Sequence, residues 1–179
     1  MIKDKQILIN IVNVRDNANF SVEVPGSKSI TNRALLIAAL ADGKTTVKGA
    51  LFSDDSRHFL KCLIELGYEV EINEDMHQVS VRGLSRQIPK DKAKIYVGSA
   101  GTAARFLTAM LSFSGEYYID ASEQMKKRPM APLIESLREL GADISYHEKE
   151  GHFPFTIKGN GQKTDRITVN IDNSSQFLS

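Results

Sequence analysis

The sequence predicts an α/β (α+β) fold built from repeated βαβαββ units, two of them complete and a third only begun. One observation is a repeated opening. Pro25-Gly26-Ser27-Lys28-Ser29 starts a helical pattern, and Val97-Gly98-Ser99-Ala100-Gly101 starts another 72 residues later. The spacing holds through Arg33 and Arg105, then drifts through small insertions, so that Leu63-Ile64-Glu65-Leu66-Gly67 matches Leu137-Arg138-Glu139-Leu140-Gly141 and Val79–Gly83 matches Phe155–Gly159. A second observation is that helix and strand signals follow in the same order after each opening. A third is the renewed opening Asn173-Ser174-Ser175-Gln176, which the chain follows only to Ser179. The expectation is a fragment of a longer protein, with units at about 21–90, 91–163 and 164–179.

Gln6–Val14, ahead of the first unit, and Phe20–Val24 at its start read as strands rich in Ile and Val. Ser29–Leu40, dense in Ala and Leu, reads as a helix ended by Asp42-Gly43. Thr45–Gly49 is a short β-branched strand. Ser53-Asp54-Asp55 suits a helix start, because side-chain oxygens accept the free N–H groups and acids favour the positive end. That helix is expected to stop at Gly67, a C-cap residue. Tyr68–Asn73 and Gln78–Arg82 then form a hairpin about Glu74-Asp75-Met76-His77.

The second unit repeats this order. Lys94–Val97 is a strand, and Ala100–Phe113 is a helix with Ala103, Phe106, Leu107, Met110 and Leu111 at helical spacing. Glu116–Asp120 is a strand, Pro132–Leu140 a helix ended by Gly141, and Ala142–Tyr146 and Phe153–Ile157 are strands. Gly159–Asp165 reads as a turn-rich linker to a strand at Ile167–Ile171. The Ala/Leu helices at 29–40 and 101–113 are expected inside, and the more charged helices near 54 and 131 toward solvent. An incomplete third unit is expected to leave Phe106, Leu107 and Met110 partly uncovered, and hence the chain prone to self-association.

Bulk composition excludes several classes of function. A formal net charge of +1 gives no global attraction to nucleic acid or anionic membrane, so anion binding has to come from local cations. The single Cys62 removes intrachain disulfides and CxxC metal sites; within Phe59-Leu60-Lys61-Cys62-Leu63 it reads as a small core residue. His58, His77, His147 and His152 lack ligand spacing, and no metal or cofactor is expected. No signal-peptide pattern or membrane-length apolar run occurs, so the expected location is cytoplasmic. Gly26-Ser27-Lys28-Ser29 is not a nucleotide P-loop, because Ser27 and Val22 occupy positions that motif reserves for Gly.

The three openings place Ser, Thr and Gly directly before a helix. The first N–H groups of a helix lack internal partners, so each opening is either an ordinary cap or a seat for phosphate or carboxylate. Lys28 lies within the first, and Arg33 follows one turn later on an apolar helix, where it needs an anion: a structural carboxylate or a ligand phosphate. Arg105 is its counterpart, ligand-binding or structural. In Met125-Lys126-Lys127-Arg128-Pro129, Lys126 and Lys127 read as solvated, and Arg128 as a carboxylate or phosphate fork ahead of a Pro that opens a helix.

These residues carry a resemblance. Pro25-Gly26-Ser27-Lys28-Ser29-Ile30-Thr31-Asn32-Arg33-Ala34-Leu35 resembles the N-terminal signature of the EPSP synthases (3-phosphoshikimate 1-carboxyvinyltransferases). Gly98–Arg105 is similar to their Asn-Ala-Gly-Thr-Ala-x-Arg segment, Lys127-Arg128-Pro129-Met130 to their Arg-Pro element, and Ser174-Ser175-Gln176-Phe177 to their Ser-Ser-Gln element. The resemblance implies the enolpyruvyl transferase inverse α/β barrel fold: two domains of three βαβαββ units, with the active site between them. It implies transfer of the enolpyruvyl group of phosphoenolpyruvate to shikimate 3-phosphate with release of phosphate, on the path to chorismate and aromatic amino acids. It assigns Lys28, Ser29, Arg33, Ser174, Ser175 and Gln176 to shikimate 3-phosphate. To phosphoenolpyruvate it assigns Lys28, Gly101, Arg128 and Gln176.

By the same resemblance, residues 1–20 go with the second domain, residues 21–179 form an incomplete N-terminal domain, and the intact enzyme is a monomer. The acid–base residues belong to the other domain, so the fragment is expected to be inactive. Two positions depart from the family pattern: Ser99 stands where Asn is usual, and Gln124 where Arg is common. Competing readings are a UDP-N-acetylglucosamine enolpyruvyl transferase-like enzyme, for which Cys62 is misplaced, and a non-catalytic anion-binding or structural fragment.

Overall fold

A computed structural model describes residues 25–161 and residue 164. The elements run α1 (Lys28–Leu40), β1 (Asp42–Lys48), α2 (Asp54–Glu65), β2 (Val70–Asn73), β3 (Gln78–Leu84), β4 (Lys92–Tyr96), α3 (Gly101–Met110), β5 (Ser114–Asp120), α4 (Glu123–Lys126), α5 (Ala131–Leu140), β6 (Asp143–Tyr146) and β7 (Phe155–Asn160). The expected strands at 6–14, 20–24 and 167–171 lie outside the described residues.

The repeat in sequence is a repeat in topology. One sheet is ordered β1-β3-β2 and the other β4-β5-β7-β6. The order β5-β7-β6 reproduces β1-β3-β2, antiparallel throughout. β4 adds a parallel neighbour to β5 across the α3 crossover. Each sheet has one face turned to the helices. Along β3, Val79, Val81 and Gly83 are buried while Glu71-paired Ser80 and Arg82 point outward.

The helices lie together against the sheets. α1 packs on α2, α3 and β3, and α2 also packs on α3 and β4. α2 is more deeply engaged than its charge suggests: it buries Phe59, Leu60, Cys62 and Leu63 on one face and leaves its charges on the other. A capping box of Ser53 and Ser56 fixes its start, with Asp54 and Asp55 in the first turn. Phe106, Leu107 and Met110 are buried, contrary to expectation, because α1 and α2 cover them. The exposed large apolar side chains among the described residues include instead Ile30 and Ile37 on α1, 68% and 66% exposed, Met76 in the β2–β3 turn, and Phe113 beyond α3.

Other boundaries also shift. Asp42 begins β1 rather than ending α1, with Gly43 opposite Gly83. Gly159 and Asn160 belong to β7, paired with Gly115 and Ser114, and not to a linker. A side chain at Gly159 would collide with the Ser114 backbone, so this glycine serves close strand approach. The Pro-opened helix starts at Ala131 with Pro132 in its first turn, and a separate one-turn helix, α4, precedes it.

Cys62 is a core residue, as its pattern implies: it is fully buried, and its thiol donates to the Tyr96 carbonyl at 3.4 Å. Burial pushes its pKa up from 9.0 to about 12. A thiol with a raised folded pKa stabilises the fold fully below its unfolded value of 9.0, and that contribution is lost as pH rises toward about 12. At pH 8, iodoacetamide is therefore expected to leave native Cys62 unmodified and to alkylate it fully in denaturant. Rapid alkylation of the native chain would contradict its place in the core.

Candidate anion-binding site

Two helix N-termini organise the site. At α1, Ser27 is the N-cap, its side chain accepting from the Ile30 N–H at 3.4 Å. Lys28 reaches across to the first turn of α2, where its Nζ lies 3.0 Å from Asp55 Oδ2. Ser29 is half-buried, and its carbonyl accepts from Arg33 Nη1 at 3.3 Å. The Arg33 guanidinium stands 5.4 Å from the centre of the Phe106 ring of α3. No carboxylate pairs with Arg33 among the described residues. Arg33 thus bridges α1 and α3 while remaining open to solvent.

Asp55 is the partner that sequence reading missed. It reads locally as an acid favouring its own helix start, and nothing in the chain between residues 28 and 55 announces the contact. Asp55→Asn is expected to lower unfolding free energy by only about 1 kcal/mol, since the Lys28 side chain is half exposed. Lys28→Met should then cost nothing further in that background; a double-mutant cycle in urea reads the coupling directly.

At α3 the N-cap is Ala100, which offers no side-chain cap. The Ala100 side chain thus supplies no acceptor to the first N–H groups of the helix. Arg105 folds back so that Nη1 donates to the Gly101 carbonyl at 3.1 Å. Arg128, arriving from the turn after α4, meets it there. A Cβ built on Gly101 would lie 3.1 Å from Nη1 of both arginines. Burial and then the nearby Arg128 charge lower the Arg105 pKa from its ordinary value. Two guanidinium groups and a helix N-terminus converging on one glycine is an arrangement that a bound anion relieves.

The loop and turn around this point are tied together. Ser99 and Ser122 hydroxyls are 2.8 Å apart, and the Ser122 N–H donates to the Gly98 carbonyl at 3.0 Å. Gly98 has φ of +59°, and a side chain there would strike the His58 ring. Lys126 departs from the solvated role read for it: its ammonium sits between Asp120, Glu123 and Glu148 at 3.5, 3.4 and 3.1 Å. The Glu148 hydrogen bond, before any other cause, raises its pKa above the ordinary lysine value. Lys127 and Arg128 are exposed.

The structure therefore gathers Lys28, Ser29 and Arg33 at one helix start, and Gly101 and Arg128 at the other. Ser174, Ser175 and Gln176 lie outside the described residues.

The family model for EPSP synthase (3-phosphoshikimate 1-carboxyvinyltransferase) matches residues 12–179. A 3-phosphoshikimate 1-carboxyvinyltransferase of Trichormus variabilis is 44% identical over 160 residues, covering 89% of this chain and 38% of the relative. One from Photobacterium damsela subsp. piscicida is 43% identical over 162 residues, with the same coverage. An EPSP synthase structure from Acinetobacter baumannii superposes with a TM-score of 0.76 at 28% identity, covering 87% of this chain and 35% of that one. The chain thus spans 38% of the length of these curated relatives. With the fold, the repeat and the family match in agreement, the chain belongs to the EPSP synthase family.

Proposed function

We propose that this chain carries one half of the substrate site of an enzyme that transfers the enolpyruvyl group of phosphoenolpyruvate to shikimate 3-phosphate and releases phosphate. The observation that carries the proposal is the convergence of Arg105 and Arg128 on Gly101, the first residue of a helix whose N-cap is Ala100. In this reading Gly101 and Arg128 receive phosphoenolpyruvate, and Lys28, Ser29 and Arg33 receive shikimate 3-phosphate. Lys28 lies between the two anions, while Ser174, Ser175 and Gln176 complete the set. Holding two anions side by side is the main physical task, and fixed cations with helix N-termini offset their mutual repulsion.

The reaction also moves protons: one must reach the phosphoenolpyruvate methylene and one must leave the attacking hydroxyl. No acid of this chain stands in a matching family motif. Those groups belong, in this proposal, to the part of the relatives that this chain does not span, and the 179 residues alone turn over no substrate. Residues 21–179 then form an incomplete N-terminal domain, with residues 1–20 going to the facing one. The protein works in the cytoplasm, and the full-length enzyme is a monomer. Among the described residues, no helix is long and apolar enough to cross a membrane.

Calorimetric titration of the 179-residue protein with shikimate 3-phosphate, beside Arg33→Ala, tests the half-site. Saturable binding lost in the variant is expected. Absence of binding by a demonstrably folded sample would refute a preformed half-site.

A further inference from the structure

We infer that Lys126 is a positioning residue for Arg128, holding the turn that delivers the guanidinium to Gly101. Helix α4 is a single turn of four residues, too short to hold its own geometry. Its orientation must come from its ties. On the inner side these are the Ser122 N-cap, the Ser99–Ser122 contact, the Ser122 and Met130 N–H groups donating to the Gly98 and Gly151 carbonyls, and the fully buried Met125 and Met130. On the outer side, the ion pairs of α4 among the described residues all run through Lys126. It collects carboxylates from three separate places: Asp120 at the end of β5, Glu123 on α4 itself, and Glu148 in the β6–β7 connection.

That arrangement is more than three weak surface pairs. The Lys126 side chain is only 17% exposed, and it is the shared cation among three like charges. With Lys126 neutral, attraction is not merely lost. Asp120, Glu123 and Glu148 would then face one another with no cation between them, and α4 would lose its ionic tie to β5 and to the β6–β7 connection. That turn carries Arg128 two residues further on. Among the described residues no carboxylate holds the Arg128 side chain, so its direction depends on the turn beneath it.

The consequence for ligand binding rests on the reading of Gly101 and Arg128 as a phosphoenolpyruvate seat, but the positioning itself can be read without ligand. In the nitrogen-15-labelled 179-residue chain, the Gly101 and Thr102 amide signals report the nearby guanidinium, and Arg128→Ala defines their positions once it is gone. Lys126→Met is expected to move both signals toward the Arg128→Ala positions. Lys126→Arg should leave them near wild type, and Lys126→Met with Glu148→Gln should return them part of the way. Phosphoenolpyruvate affinity should fall about tenfold in Lys126→Met and little in Lys126→Arg.

A folded Lys126→Met chain whose Gly101 and Thr102 signals stay in place would overturn the inference. If Lys126→Met does not fold, Glu148→Gln alone decides: a smaller shift in the same direction supports the positioning role, and none overturns it. Amide shifts without phosphoenolpyruvate binding in wild type would leave Lys126 as a positioning residue and refute the assigned ligand.

Discussion

Replacing Arg128 by alanine is expected to weaken phosphoenolpyruvate binding to this chain by roughly tenfold to a hundredfold, about 1.5–3 kcal/mol for hydrogen bonds to a charged group. The same substitution should not destabilise the fold. Arg128 is exposed, and its nearest structural effect on Arg105 is unfavourable: the two like charges lower the Arg105 pKa together with burial. Removing Arg128 relieves that repulsion, so the thermal midpoint should stay or rise slightly while binding is lost. A site maintained at a cost in electrostatic energy behaves this way, and a structural arginine does the opposite. Calorimetric titration and a thermal melt of the same sample separate the two. A lower midpoint with unchanged affinity would make Arg128 a structural residue and remove the main support for the proposed seat.

Phe59→Ala is expected to have the largest effect on stability, a loss of about 3–5 kcal/mol. Phe59 is fully buried on α2, the helix that packs against both α1 and α3. Few side chains can collapse into the space it would leave, because Leu35, Leu63, Leu66 and Leu107 are themselves fully buried. Against a typical total of ~5–15 kcal/mol, such a loss brings the chain close to unfolding at room temperature. Urea titration of the variant measures it. A loss below about 1 kcal/mol would mean that α2 is peripheral and that the helices do not share one interior. The effect should reach the site too, since α2 carries Asp55 and so holds Lys28.

Much of this fold was readable from local chemistry. The openings at Ser27 and Ser53 behave as N-caps, and Gly141 ends α5 in a left-handed conformation. The periodicity over 101–113 gave a helix, though one that stops at Met110 to release Ser114 into β5. Errors fell where local signals conflict with packing. Gly159-Asn160 has the composition of a turn but the partners of a strand. The acids of α2 suggested an outer helix, yet a 12-residue helix can expose its charges on one face and bury Phe59 and Cys62 on the other. The run Lys126-Lys127-Arg128 looks uniform in sequence, but its three cations have three different environments.

The amino-acid sequence alone determined the repeated order of helix, strand, helix and hairpin, the caps that start the helices, and the family, because each depends on residues near one another along the chain. It also singled out Lys28, Arg33 and Arg128 as candidate anion-binding cations, and Lys126 as a solvated one. Only the tertiary structure decided what each of them meets: Lys28 an acid on α2, Arg33 the ring of Phe106, Arg128 the glycine at the start of α3, and Lys126 three carboxylates from three elements. Those outcomes depend on how separate elements approach in space, and a side chain's electrostatic partner is set by that approach rather than by its neighbours in sequence.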